Sequence, residues 1–277
     1  MKSKVWVFGD SFQTSNYPPA CKKSWVDILF ENKGYEVINT ALSGRSTEDI
    51  ILTCIDRLPE IQTNDHVLVF LSSEMRFMVP DGIGNIVDKT PFTRYIDTDR
   101  RHKDIWREAK MNNDMRVLDI ADKFNTPLGS KLKMSVWNNY AHMLLSSKNL
   151  KYKVIHGHYE LRTVKSNYVK TYMKDYEYRC FKPEVTAYYT MTNTVDFASG
   201  SCLINDFFHC QIEYIIDKFG EKKLNHMKNI SDENFLQAVK KIYGEEHCLF
   251  HDTWHLNETG HKIYADYAKN YDWGLDD

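Results

Sequence analysis

The chain of 277 residues is most informative first for what it lacks. It has almost no net charge, formally -2, with 27% of its residues charged and 42% hydrophobic. That balance belongs to an ordinary globular protein, not to a disordered chain or one that coats nucleic acid, so charge selects no partner. It lacks any apolar run near the ~20 residues that a membrane-spanning helix needs. It also lacks a secretory h-region, because Met1-Lys2-Ser3-Lys4 leads straight into Val5-Trp6-Val7-Phe8. Its six cysteines (Cys21, Cys54, Cys180, Cys202, Cys210 and Cys248) are scattered and contain no C-x-x-C pair, which predicts reduced thiols rather than a disulfide framework. No internal repeat or low-complexity tract occurs. Together these absences predict a cytoplasmic protein with no membrane association.

What is present reads as alternating strands and helices. Val5–Phe8 is a continuous apolar run, as expected of a strand buried on both faces. Ser24-Trp25-Val26-Asp27 predicts a capping-box start to a helix that Gly34 ends. Tyr35–Leu42 is a second strand, and the polar turn Ser43-Gly44-Arg45-Ser46-Thr47 feeds a helix with Ile50, Ile51, Cys54, Ile55 and Leu58 on one stripe, stopping at Pro59. Val67–Leu71 is a third strand. Strands alternating with helices imply a parallel sheet with crossover connections.

After Pro80 the pattern blurs. Asp81–Arg101 is turn-rich and predicts a loop over the site, and helical signals return at His102–Phe124 and Lys131–Ser147. Tyr152–His156 is the next strand candidate, Gly157–Gly200 shows no clear period, and Leu203–Phe219 and Asp232–Tyr243 are helical. A short apolar step, Cys248-Leu249-Phe250, precedes a last helix capped by Asn257 with Ile263, Tyr264, Tyr267 and Ala268 facing inward. The expectation is a single domain over 1–277, with residues 81–245 containing an enlarged, partly irregular insertion.

Two short segments carry chemistry. Phe8-Gly9-Asp10-Ser11 puts a serine at the carboxyl end of the first strand, where open α/β sheets bind their ligands. Alone, Gly-Asp-Ser is equally an ordinary turn. Asp252-Thr253-Trp254-His255 puts a carboxylate three residues before an imidazole, so that one loop could hold Asp252 against one ring nitrogen and leave the other facing outward. Alone, that segment is equally a solvated surface loop. Brought together, the two supply a nucleophile, a general base and a group that orients the base.

The combination is more specific than its halves. Gly9-Asp10-Ser11 after the first strand, Ser43-Gly44 after the second, and Asp252-x-x-His255 followed by Leu256-Asn257-x-x-Gly260-His261 resemble the SGNH (GDSL-like) hydrolase family, over the first 80 or so residues and the last 30. The resemblance implies a three-layer α/β/α, flavodoxin-like fold with a central parallel sheet, and a serine esterase of acetyl or acyl groups on carbohydrate or lipid. It implies Ser11 as nucleophile, His255 as base, Asp252 as its orienting partner, and the backbone N–H groups of Ser11 and Gly44 as part of the oxyanion hole. It implies no cofactor. The G-x-S-x-G elbow of the α/β-hydrolases is absent from both the family and this chain.

One departure stands out. Where the family carries Gly-x-Asn-Asp after its third strand, this chain reads Leu71-Ser72-Ser73-Glu74-Met75-Arg76-Phe77, without the asparagine that donates to the oxyanion. Loss of one such donor lowers turnover by ~10²–10³ unless Ser72, Ser73 or Arg76 replaces it. The Ser-x-x-Arg-Phe pattern looks like a branch of the family often encoded by phages, which would place the protein in the host cytoplasm or the virion. Ser73 and Arg76 are the candidate substrate contacts, Arg76 because a guanidinium suits carboxylates and phosphates. A structural ion pair is the alternative for Arg76.

Two other patterns compete. His247, Cys248, His251, Asp252, His255 and His261, with His156 and His158, could suggest zinc, but no H-E-x-x-H or paired C-x-x-C spacing supports it. Lys148–Lys182 interleaves basic residues with tyrosines, a composition that can track nucleic acid. Its acidic residues Glu160, Asp175 and Glu177 favour a solvated face instead. The expected ligand is therefore a small-molecule or carbohydrate ester. The rival functions are acyl transfer by the same residues, and a binding module that has kept the fold without the chemistry.

Overall fold

The computed structural model describes residues 3–15, 21–72, 77–80, 86–89, 127–157, 195, 197–198, 202–220, 232–252 and 254–275. Four parallel strands form the central sheet: β1 (Lys4–Phe8), β2 (Glu36–Asn39), β3 (His66–Leu71) and β6 (Lys151–His156), in the order β2-β1-β3-β6. Val5 pairs with Val37 on one side and His66 on the other. A separate antiparallel pair joins β4 (Phe77–Pro80) to β5 (Ile86–Lys89), with Phe77 opposite Lys89.

Side chains alternate across the sheet and so make two cores. Val5, Val7, Leu68, Phe70 and Ile155 face α1 (Trp25–Asn32), α4 (Leu203–Phe219), α5 (Asp232–Tyr243) and α6 (Glu258–Tyr267). Trp6, Phe8, Val67, Val69, Leu71 and Val154 face α2 (Thr47–Arg57) and α3 (Pro127–Ser147). The result is a three-layer α/β/α fold with flavodoxin-like strand order. The chain steps outward from β1 to β2 and then back across to β3, and a constant crossover hand places α1 and α2 on opposite faces. The reversal leaves a crevice at the carboxyl ends of β1 and β3.

Local chemistry sets the element ends. Ser24 caps α1 by accepting from the Asp27 N–H, while the Asp27 carboxylate accepts from the Ser24 N–H, the reciprocal box read from the sequence. Strand β2 stops at Asn39, short of the expected Leu42, because the Asn39 side chain takes the Ala41 N–H at 3.0 Å and turns the chain. The turn-rich stretch Asp81–Arg101 contains strand β5, which at four residues is too short to show a period. The remainder of that stretch, the helical signal at His102–Phe124, and most of Gly157–Gly200 and of the basic, tyrosine-rich stretch lie outside the described residues. Helix α3 begins at Pro127 rather than Lys131. Cys248-Leu249-Phe250 adds no strand to the sheet; Phe250 makes one antiparallel bridge to Leu256.

Among the described residues, no helix is long and apolar enough to cross a membrane, and Cys21, Cys54, Cys202, Cys210 and Cys248 are buried free thiols. Helix α6, which follows the Asp252–His255 loop, is fixed from both sides. The buried carboxylate of Asp206 on α4 accepts hydrogen bonds from Tyr264 (2.7 Å) and Tyr271 (2.9 Å). In the first turn of α6, a Cβ on Gly260 would run into the Leu249 carbonyl and lie 3.1 Å from the Leu256 Cβ. Alanine has the better helix propensity by ~1 kcal/mol, but the overlap with rigid backbone outweighs it. Gly260→Ala is therefore expected to lower stability by about 2 kcal/mol. The readout is the urea midpoint at constant slope, and an unmoved midpoint would refute this close approach.

Candidate active site

Ser11 lies in a tight turn just beyond β1, and several polar groups of that turn are tied down. The Asp10 carboxylate accepts from the Phe12 N–H at 3.1 Å and from the Ser72 hydroxyl at 2.6 Å. The Gln13 side-chain oxygen accepts from the Asp10 N–H at 3.1 Å, lying across Gly9, where any Cβ would collide with it. The Phe12 carbonyl accepts from the Trp25 indole at 2.9 Å, and the Gln13 carbonyl from the Asn39 amide at 2.8 Å. Such bonds, largely buried, make the turn rigid.

The second loop is built by its own carboxylate. Asp252 Oδ1 accepts from the N–H groups of Trp254 (2.8 Å) and His255 (2.9 Å), the Phe250–Leu256 bridge closes the loop, and Asn257 caps α6 through the Gly260 N–H at 2.8 Å. Both carboxylate oxygens also lie 2.9 Å from His255 Nδ1. Burial alone would raise the Asp252 carboxyl, but the hydrogen bond from His255, its charge, and the two backbone N–H donors outweigh burial and hold it well below the usual carboxylate range. An ionised carboxylate only accepts, so Nδ1 carries the imidazole proton and Nε2 presents a lone pair.

These two loops meet. His255 Nε2 is 2.8 Å from Ser11 Oγ, across 244 positions of sequence. The serine hydroxyl, imidazole and carboxylate singled out in the sequence thus form one hydrogen-bonded line. Gly44 stands at φ +87° in the loop after β2, which the Leu42 N–H to Gly9 carbonyl bond (3.3 Å) draws against the Ser11 turn. Ser73 and Arg76 lie outside the described residues. Ser72, considered above as a replacement oxyanion donor, donates its hydroxyl to Asp10 at 2.6 Å and its N–H to Thr47 Oγ at 3.0 Å. That commitment removes it as a donor to substrate.

Further residues support the site through contacts that the sequence does not show. The ring of Phe12 lies against the His255 imidazole, with centroids 4.9 Å apart and planes 11° from parallel. His261 accepts from the Trp25 N–H at 3.1 Å through Nδ1 and so caps the start of α1. Only the place of Phe12 beside Ser11 was visible in the sequence; the contacts of Trp25 and His261 are tertiary. The other histidines of the segment disperse, with His247 packing against Phe219 and Tyr214. Among the described residues no group of three or more His, Cys, Asp or Glu could hold a metal ion.

No family model matches the chain, and no curated protein does. It is similar to solved structures of ester hydrolases. One is the psychrotrophic esterase EstA from Pseudoalteromonas sp., at 12% identity over 95% of this chain and 93% of that one, with a TM-score of 0.34. Another is Axe2, an acetylxylan esterase from Geobacillus stearothermophilus, at 13% identity over 98% and 95%, with a TM-score of 0.36. A catalytic mutant of Axe2 gives 13% over 99% and 97%, with a TM-score of 0.41. The fold assignment rests on the strand order and packing described above rather than on these distant likenesses.

His261 makes the site sensitive to acid. Burial first, and then the charge of His255, lower it to about 4, whereas an unfolded histidine titrates near ~6.5. The unfolded chain therefore binds the extra proton between those values, and stability is complete above ~6.5 and declines as pH falls toward 4. This group is expected to contribute about 3 kcal/mol of that decline. In His261→Asn the side-chain oxygen replaces Nδ1 as acceptor and does not titrate, so urea unfolding from pH 7 to 4 should show a shallower loss than the native chain. Equal slopes would refute the assignment.

Proposed function

We propose that the chain is a serine esterase working through an acyl-enzyme. The observation that carries this reading is the 2.8 Å contact between Ser11 Oγ and His255 Nε2, with Asp252 on the opposite ring nitrogen. As Ser11 Oγ bonds to the ester carbonyl carbon, its proton passes to Nε2 and the carbonyl oxygen becomes an oxyanion. Collapse breaks the bond to the leaving oxygen, which departs as an alcohol carrying the proton from His255. Water then repeats the sequence on the acyl-serine, releasing the acid and restoring Ser11. Asp252 holds a proton on Nδ1, so that Nε2 faces Ser11, and stabilises the imidazolium formed on the way.

The oxyanion is assigned to the backbone N–H groups of Ser11 and Gly44. Neither donates a hydrogen bond among the described residues, although the polar groups around them do. With no asparagine after β3 and Ser72 bound to Asp10, a third donor would have to come from Ser73 or Arg76, and without one turnover is slow. Ser73 and Arg76 are the proposed substrate contacts, and the substrate class is a small acyl ester on a carbohydrate or similar small molecule, met in the cytoplasm. Transfer to an acceptor hydroxyl is a second reading by the same residues, favoured by the burial of Ser11, which is 2% exposed.

Ser11→Ala is expected to reduce hydrolysis of p-nitrophenyl acetate by ~10³-fold or more, and a fluorophosphonate should label Ser11 in the native chain, located by mass spectrometry. Equal rates for the two proteins would overturn the reading. Asp252→Asn should lower kcat by up to ~10⁴, while a change confined to KM would argue against its role in orienting the base. Product partition with an added polyol separates the two readings: acylated polyol supports transfer, and free acid alone supports hydrolysis.

A further inference from the structure

The proposed reaction does not by itself require a ring beside the nucleophile. Phe12 nevertheless places one flat against the base. It is 2% exposed and held in place by its backbone, with its N–H on Asp10 and its carbonyl on the Trp25 indole. Its ring also meets Phe207, with centroids 6.2 Å apart and planes inclined by 58°. It cannot draw back from the imidazole without breaking these contacts.

Two consequences follow from this geometry. The Asp252 hydrogen bond holds one end of the imidazole but resists poorly a roll about the line joining the ring nitrogens, and a parallel neighbour blocks that roll. The face of an aromatic ring also attracts a cation. The imidazole gains a positive charge as it takes the Ser11 proton, so this attraction strengthens toward the transition state.

We propose that Phe12 is a positioning residue for the reaction, fixing the plane of the base and favouring its charged form. This rests on the esterase reading above. Because His255 would act in both acylation and deacylation, loss of the ring should slow both steps together. kcat then falls and KM holds.

The test compares the native chain with Phe12→Leu and Phe12→Tyr on p-nitrophenyl acetate, with kcat expressed per site titrated by fluorophosphonate so that loss of folded protein does not count. Phe12→Leu is expected to lose ~5–30-fold in kcat at unchanged KM, and Phe12→Tyr, which keeps the face, to stay within about twofold of native. A per-site kcat for Phe12→Leu within twofold of native would overturn the proposal, as would a Tyr variant as slow as the Leu variant. Should Phe12→Leu fail to fold, the native chain and Phe12→Tyr decide. The imidazole C–H proton signals of His255, assigned by their loss in His255→Ala, should lie upfield through the ring current, and unshifted signals or a slow Tyr variant would overturn the proposal. A native chain that neither hydrolyses the ester nor labels at Ser11 would remove the esterase reading and this role with it, an outcome distinct from failure of the stack alone.

Discussion

Trp25 ties the two halves of the site to one frame. Its backbone N–H ends on His261 Nδ1 in α6, and its indole N–H on the Phe12 carbonyl in the Ser11 turn. Its ring is fully buried and packs edge-on against Phe70 of the sheet (5.8 Å), Phe207 of α4 (6.3 Å) and Tyr264 of α6 (5.0 Å). Hydrogen bonds from one rigid, buried group fix the distance between its acceptors far better than side chains reaching across a cleft. The 2.8 Å approach of Ser11 to His255 is thus set by the body of the protein, not by the two loops alone.

Above the sheet, a polar layer completes that frame. Asp10 follows β1, Ser72 follows β3 and Thr47 opens α2, and the bonds Ser72 Oγ to Asp10 (2.6 Å) and Ser72 N–H to Thr47 Oγ (3.0 Å) join all three. Each link satisfies a buried group that would otherwise be left unpaired at a cost of about 1–3 kcal/mol. The same bonds leave Ser72 no donor to offer a ligand. Structural satisfaction and chemistry compete for one hydroxyl at this position, and structure has taken it.

What could be read from the sequence was what local chemistry decides. The Ser24–Asp27 box, the Ile50, Ile51 and Cys54 stripe and the Asn257 cap are written in neighbouring residues, and each element formed where those residues put it. The hydroxyl, imidazole and carboxylate were also legible, because two short patterns carried them. Other features escaped for identifiable reasons. Strand β5 is too short for alternation to show, and β2 lost its end to the side chain of Asn39, a competition that composition does not reveal. His261 stood in a histidine-rich segment and in the pattern that follows His255, yet neither shows its contact, which is with a residue 236 positions away. No window along the chain contains both partners.

The separation of Ser11 from His255 by 244 positions has a consequence for synthesis. The serine turn is synthesised 244 residues ahead of the imidazole. Until the later loop is made, the turn exists without its partner. Closing so long a loop adds only slowly to the entropy already lost in forming the sheet, so the contact tolerates this separation at small added cost. The hydroxyl and the imidazole meet only where the folded sheet and helices bring their loops together.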